Sequence, residues 1–335
     1  MKKIIMTTHS RTISYMTGLG ISLMVAFGVV AIPQYVHAVT LAPVAVTEQN
    51  DFVLEPGKVE VFLNPGESVT RSISITNRIK RKVHFKIEVE DFVGSRDIDK
   101  PVVLLGNDKS PYSFKDNLVP EVREFTLEFG QRINIPISIN VPQDAQPGGF
   151  YSSVLISNEP DKDEQSAQNS QTVAQNKIIS RLGVLFFVRV NGDANESGSV
   201  EEFRVQPSTS FIRQQGPTTF EILYNNSGSI HLVPFGTVDI TNTFGRKVTT
   251  LPVDAYFSLP NSLRYRSVEW DKVYLIGRYK ATLHLNRGYG NIVDERVVTF
   301  WVIPWKILAA LFGVIVFVVG LGYYIASRFE FKRKV

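Results

Sequence analysis

Residues 131–141 run Gln131-Arg132-Ile133-Asn134-Ile135-Pro136-Ile137-Ser138-Ile139-Asn140-Val141. Ile133, Ile135, Ile137, Ile139 and Val141 stand at every second position, and Arg132, Asn134, Ser138 and Asn140 fall between them. Successive side chains of an extended backbone point to opposite faces, so this spacing predicts a strand with one buried and one wet face. The same alternation runs upstream through Val59, Val61 and Leu63, then Val69, Ile73 and Ile75. It continues in Val83, Phe85, Ile87 and Val89, and in Phe125, Leu127 and Phe129. Turn chemistry separates these runs at Asn64-Pro65-Gly66, Phe129-Gly130-Gln131 and Gln146-Pro147-Gly148-Gly149. No helical period appears before residue 307. Short strands at this spacing predict an all-β region of two immunoglobulin-like β-sandwich domains.

The predicted first sandwich covers residues 50–192 and the second residues 198–303. Within the first, residues 157–176 are rich in Asp, Gln, Asn and Ser and predict a polar loop. Leu182 to Val190 follows, apolar on both faces, which suits a central strand. The Gly/Asp/Asn/Ser stretch from Asn191 to Gly198 is the better domain boundary. In the second sandwich, Thr219–Tyr224, His231–Thr241, Tyr279–Leu285 and Arg296–Val302 read as strands. The two halves share an echo. Asn64-Pro65-Gly66 precedes a strand ending at Asn77, and Gly216-Pro217 precedes one ending at Asn225-Asn226.

The ends of the chain carry the targeting pattern. Lys2, Lys3 and Arg11 lead an apolar core from Met16 to Ile32, and Val36-His37-Ala38 offers small residues for a signal peptidase. Residues 1–38 therefore read as a signal peptide, with an uncleaved anchor as the alternative. Residues 307–326 hold no charge and have the length a membrane-spanning helix needs. Trp301 and Trp305 precede this span and Tyr323 and Tyr324 close it, in the manner of interfacial belts. Arg328, Lys332, Arg333 and Lys334 form a basic tail at 327–335 that prefers the cytoplasmic side. The expected location is the plasma membrane, single-pass, with residues 39–305 outside.

Charge and composition narrow the function. The 335 residues hold 36 Lys+Arg against 32 Asp+Glu. Three basic residues lie in the leader, and Lys306 with the tail holds five more, whereas Glu330 is the one acid there. That leaves 28 basic and 31 acidic residues between the ends. The basic balance is thus a targeting signature, and no nucleic-acid partner is expected. There is no cysteine, which excludes disulfides, thiolate metal sites and cysteine nucleophiles.

Catalytic patterns are missing. His84, His231 and His284 are widely spaced and fall in no zinc motif. There is no G-x-S-x-G elbow and no P-loop. Asp97 with Asp99, and Asp161, Asp163 with Glu164, are oxygen-rich, but neither spacing fits an EF-hand and a solvated loop is the simpler reading. Neither a cofactor nor a metal is implied, and the chain is expected not to be an enzyme.

Two surface features are candidate binding sites. Arg78, Lys80, Arg81 and Lys82 lie between two strands and would attract phosphate-rich wall polymers or anionic headgroups. The plainer reading is a solvated hairpin that discourages edge pairing. In Pro147-Gly148-Gly149-Phe150-Tyr151 the glycines allow close backbone approach, and Phe150 and Tyr151 would form a platform for a sugar ring or start a core strand.

Leu63-Asn64-Pro65-Gly66-Glu67 followed by a strand and Asn77, together with Pro147-Gly148-Gly149-Phe150-Tyr151, resembles the first domain of the WxL-interacting protein family. The layout of signal, two immunoglobulin-like domains, one span and a basic tail is similar too. Residues 91–118 stand where that family carries a Thr-Asn…Asn-Gly segment. The resemblance implies a bacterial cell-surface protein whose first domain binds peptidoglycan and whose second binds surface partner proteins. The first domain also resembles the amino-terminal domain of pilus chaperones, which donate a strand to a partner's sheet edge. The expectation is a membrane-anchored binding or scaffold protein of the cell envelope, contacting peptidoglycan, anionic wall polymer or surface proteins. A strand-donating assembly factor, a passive spacer and an envelope enzyme are the alternatives.

Overall fold

A computed structural model describes residues 38–159, 180–206, 212–213, 217–272 and 276–328. The predicted leader ahead of Ala38, residues 160–176 of the predicted polar loop with Asp161, Asp163 and Glu164, and the tail beyond Arg328 lie outside the described residues.

The first sandwich is built from β1 (Thr40–Pro43), β2 (Phe52–Glu55), β3 (Lys58–Leu63), β4 (Ser68–Asn77), β5 (Val83–Gly94) and β6 (Val102–Leu104). It continues with β7 (Leu118–Pro120), β8 (Glu124–Leu127), β9 (Gln131–Asn140), β10 (Gly148–Glu159) and β11 (Arg181–Val190). One sheet has the order β1-β9-β4-β2, with β7 also on β9. The other has the order β3-β11-β10-β5-β6, with β8 also on β5. Ile133, Ile135, Ile137 and Ile139 of β9 all face inward and are buried. Pro136 interrupts this strand without harm. Its carbonyl points away from β4 and accepts the Glu121 amide, so its missing N–H would face the gap along β9 between the stretch paired with β1, up to Asn134, and the stretch paired with β7, from Ile137 on.

The second sandwich comprises β12 (Gly198–Gln206), β13 (Ile212–Arg213), β14 (Thr218–Asn226) and β15 (Phe235–Asn242). It is completed by β16 (Lys247–Val253), β17 (Ser262–Trp270), β18 (Gly277–Asn286) and β19 (Val293–Val302). Its sheets are β12-β14-β17 and β13-β19-β18-β15-β16. The predicted strand from His231 is shorter than the alternation suggested. β15 starts at Phe235, after Pro234, while Leu232 makes one isolated bridge to Ser258.

Both sandwiches follow one plan, and it is immunoglobulin-like. A strand near the start of each sandwich pairs antiparallel with the strand that ends in a buried asparagine, β2 with β4 and β12 with β14. The chain then crosses to the facing sheet and pairs parallel with the last strand, β3 with β11 and β13 with β19. In the first sandwich Pro56-Gly57 marks that crossing. The echo of terminal asparagines also has a structural basis. Asn77 and Asn226, both fully buried, each end their strand and hold the following turn. The Asn77 Nδ2 donates to the carbonyls of Arg81 and Leu127, and its Oδ1 accepts from the Ile79 N–H. The Asn226 Nδ2 donates to the carbonyls of Ile230 and Ser258, and its Oδ1 accepts from the Gly228 N–H.

Two residues after β19, α1 runs from Trp305 to Arg328. Its first 21 residues are long and apolar enough to cross a membrane, and none of that stretch is buried against protein. At 1.5 Å per residue they span about 30 Å, the thickness of a hydrocarbon core.

Candidate functional site

The strongest concentration of long-range side-chain chemistry joins the two sandwiches. β11 lies between β3 and β10, and both of its faces are used, as its two-faced apolar pattern predicts. Val184, Phe186, Val188 and Val190 enter the first core, whereas Phe187 turns outward. Phe187 is buried with Phe92, Tyr151 and Leu259, flanked by Tyr112, Leu185 and Phe257. Ring centroids lie 5.2 Å apart for Phe187 and Phe257, and 5.4 Å apart for Tyr151 and Phe187, both edge-on. Fully burying four large apolar side chains is worth roughly 6–12 kcal/mol before ordering costs, which is enough to hold the two sandwiches at one angle.

A chain of polar contacts runs through this cluster. The His231 backbone N–H donates to the Tyr151 Oη at 2.6 Å, and that oxygen lies 3.3 Å from His231 Nδ1. His231 Nε2 lies 2.8 Å from Glu60 Oε1, and Lys58 Nζ donates to Glu60 Oε2 at 2.9 Å. A neutral imidazole protonated on Nε2 satisfies every contact: Nδ1 accepts from the tyrosine hydroxyl and Nε2 donates to the carboxylate. The electrostatics agree. Burial pushes the His231 imidazole below its ordinary value, against the opposing pull of Glu60. Burial pushes the Glu60 carboxyl up, but hydrogen bonds from Lys58 and His231 outweigh it and leave it below its ordinary value. Burial raises the Tyr151 hydroxyl far above its ordinary value, so it stays a donor.

This junction takes most of the predicted sugar platform. The Gly149 N–H donates to the Ser229 carbonyl at 3.2 Å, and a Cβ on Gly149 would lie 3.3 Å from Ile230 Cα and 2.0 Å from Tyr151 Oη. Gly148 faces the Ser229 carbonyl too. The close approach predicted for these glycines is real, but the second sandwich makes it. Tyr151 exposes no surface and cannot stack on a sugar. Phe150 packs on the first core, its ring 5.7 Å from Phe114. The platform reading is therefore corrected to a domain contact.

Residues 91–118, where the family resemblance breaks off, also serve the junction. Buried Asp91 accepts from Ser152 Oγ and from the amides of Phe114 and Lys115, fixing the segment that carries Tyr112. The Tyr112 Oη accepts from Asn261 Nδ2 at 3.0 Å, and the Ser95 carbonyl accepts the Leu263 amide. Asp97 and Asp99 form a self-bonded turn, the Asp97 carboxylate accepting the Asp99 N–H. Among the described residues, no three His, Cys, Asp or Glu side chains converge to hold a metal ion.

The predicted basic cluster is partly neutralised. Arg78 makes a two-pronged contact with Asp51, at 2.7 and 2.6 Å, and Lys80 lies 3.3 Å from Glu48. Arg81 and Lys82 are exposed beside them. A recess of about 450 Å³ on the first sandwich is lined by Lys86, Glu88, Glu90, Arg123, Glu124 and Arg181. Arg181 pairs with Glu88 and Glu90, so acids and bases there largely cancel.

One open edge stands out. β3 is the terminal strand of its sheet. The Gly57 and Leu63 carbonyls both bond β11, so odd-numbered residues of β3 face that neighbour. The backbone groups of Lys58, Glu60 and Phe62 therefore face away from the ladder. Phe62 is 58% exposed, with the Arg189 guanidinium 6.0 Å from its ring centroid. Sequence reading missed His231 and Glu60 as partners. Neither sits in a motif, and 171 residues separate them.

No protein-family model matches this chain, and no curated protein matches it. Among solved structures it is similar to the class 5 fimbriae chaperone CfaA, with 14% identity over 76% of this chain and 100% of that one, at a TM-score of 0.33. It is similar to the E. coli chaperone DraB, with 13% identity over 75% of this chain and 96% of that one, at a TM-score of 0.31. The PapD-like domain 7 of human CEP192 gives 11% identity over 45% of this chain and 93% of that one, at a TM-score of 0.29. These are likenesses of loose outline, and the fold assignment rests on the strand order of the chain itself.

Proposed function

We propose that this chain is a membrane-anchored binding module of the bacterial cell envelope that holds a partner protein along an open sheet edge. The observation that carries this reading is β3, whose outward backbone groups at Lys58, Glu60 and Phe62 form a ready template for an added strand. The buried junction supports it, because a partner strand gains most from a template that does not move. An apolar helix two residues beyond β19 suits a module tethered by a single span, with the basic tail inside and the sandwiches outside. No catalytic step is assigned to any residue.

The test places a photo-crosslinking residue at Lys58 in the full-length chain and replaces Phe62 by proline. Proline at 62 removes an outward N–H but leaves the β3–β11 bonds intact. Crosslinking to a defined envelope protein, lost in F62P, supports the reading. Crosslinking that survives F62P, or none at all, sinks it.

A second reading is favoured by the exposed Arg81 and Lys82 in the turn between β4 and β5. It keeps the layout of the WxL-interacting family, with the first sandwich on the wall and a protein partner on the second. Co-sedimentation of the full chain with peptidoglycan, with and without attached anionic polymer, tests it. Sedimentation only with the polymer, abolished by salt, points to Arg81 and Lys82.

A further inference from the structure

The end of the second sandwich from which α1 departs has an unusual surface. β18 starts there, with Arg278 opposite Trp301 of β19. The β15–β16 hairpin turns there as well, since Thr243 Oγ1 donates to the Arg278 carbonyl and accepts its amide. At the hairpin tip Phe244 is 92% exposed, the most exposed large apolar side chain among the described residues. The turn that carries it is fixed. Asn242 Oδ1 accepts the amides of both Phe244 and Arg246 at 3.0 Å, and the Asn242 carbonyl accepts the Gly245 amide. Phe244 is thus held outward by its own turn. Ile276, just before β18, is 66% exposed at the same level.

Cations surround these two side chains. Arg246, Arg278, Lys280 and Lys306 all lie at this end, and none makes an ion pair with a described residue. Lys247 does pair, with Asp239 at 3.0 Å, and Asp271 is an acid at this end. Thr241, Asn242, Thr243 and Gly245 form a shallow recess with Arg278 and Lys280. A protruding aromatic ringed by unpaired cations pairs badly with water and well with a lipid interface. The ring sits at headgroup depth, and the cations meet the phosphates.

We propose that this end of the second sandwich docks on the anionic headgroups of the bilayer that α1 enters, with Phe244 inserted and Arg246, Arg278 and Lys280 on phosphate. This rests on α1 spanning that bilayer. The occupant follows from continuity: only two residues separate the end of β19 from Trp305, where the helix begins, so the face can move no further from the bilayer than that tether permits. Charge complementarity then selects phosphate-bearing lipid.

The chain has no cysteine, so single-cysteine labelling is clean. Full-length F244C, F235C and V316C would carry an apolar, environment-sensitive dye in vesicles containing nitroxide-labelled lipid. One vesicle set is phosphatidylcholine alone, and the other adds phosphatidylglycerol. Phe235 is 49% exposed at the far end of β15, about 23 Å from Asn242 at ~3.3 Å per residue. The expected result is strong quenching at 244 with phosphatidylglycerol, less without it, none at 235, and quenching at 316 in both. Reversing Arg246, Arg278 and Lys280 to glutamate should lower the docked-to-undocked ratio at least roughly fivefold per charge. A water-exposed dye at 244 beside a quenched dye at 316 overturns the docking alone. An unquenched dye at 316 removes the span, and the docking with it. Quenching at 244 that ignores the charge reversals overturns the headgroup assignment.

Discussion

Replacing Asn226 by alanine removes three hydrogen bonds at the point where β14 hands the chain to its turn, all of them buried. Their loss is uneven. The Ser258 carbonyl also accepts the Leu232 amide at 2.9 Å and stays satisfied. The Ile230 carbonyl and the Gly228 N–H lose the partners seen here. Leaving two buried groups unmet costs about 1–3 kcal/mol each, so N226A should destabilise the second sandwich by about 2–6 kcal/mol. Asn77 makes the same three bonds in the first sandwich, but its partners at Ile79 and Arg81 are only part-buried and water can replace the side chain. N77A should therefore cost about 1–2 kcal/mol. Aspartate at 226 should be at least as damaging as alanine near neutral pH, because a carboxylate oxygen would face two carbonyl oxygens at the 2.8 Å distances Nδ2 now occupies. Hydrogen exchange on the full chain in detergent, read peptide by peptide, separates the two sandwiches. A cost of about 2 kcal/mol appears as about thirtyfold faster exchange in β14 and β17. The reasoning fails if N226A leaves those strands protected, or if N77A proves the costlier change.

The junction gives two further expectations. Because His231 titrates below its ordinary 6.5 when folded, the unfolded chain binds the proton first as pH falls. The junction's full stability is thus present above pH 6.5 and declines as acid is added towards the folded value. Glu60, lowered from 4.5, adds a second loss below pH 4.5 in the same direction. Exchange in the Phe187 peptide should rise over this range, and H231Q should flatten the first part; an unchanged slope in H231Q removes His231 as the cause. A Cβ on Gly94 would lie 2.5 Å from Ser262 Cβ and 2.8 Å from Leu259 Cβ, whereas one on Gly57 meets nothing within 4 Å. G94A should wedge the sandwiches apart at about 1–3 kcal/mol and speed proteolysis in the 191–197 linker, and G57A should not; equal cleavage in both variants contradicts this packing.

The strands of the first sandwich were readable because each depends on a local period. Ile133 to Ile139 alternate, and all four inward positions are buried. β11 was readable for a different reason: Leu182 to Val190 is apolar on both faces, and only a strand covered twice can bury such a run. The junction was not readable. Tyr151 carries the same letter whether it faces a sugar or a second domain, and its burial depends on His231 and Leu259, residues with no local pattern. His231 looked like the start of a strand because the residues after Pro234 alternate. It instead spends its side chain on Glu60, whose partner choice is set by how the two sandwiches meet. The cation cluster was legible as charge, but Asp51 and Glu48, which answer Arg78 and Lys80, come close only once the first sheet has formed.

The repeated crossover has a mechanical meaning. In the second sandwich the chain arrives from the first at Gly198, opposite Asn226, and leaves at Val302, where β13 lies parallel to β19. Tension applied between the first sandwich and α1 would pull β12 and β19 in opposite directions along their own axes. The ten register pairs of β18 and β19, from Gly277↔Val302 to Asn286↔Val293, would then share the load in shear instead of opening one at a time. A fold that lays an early strand parallel to its last can carry tension from end to end while its core stays shut.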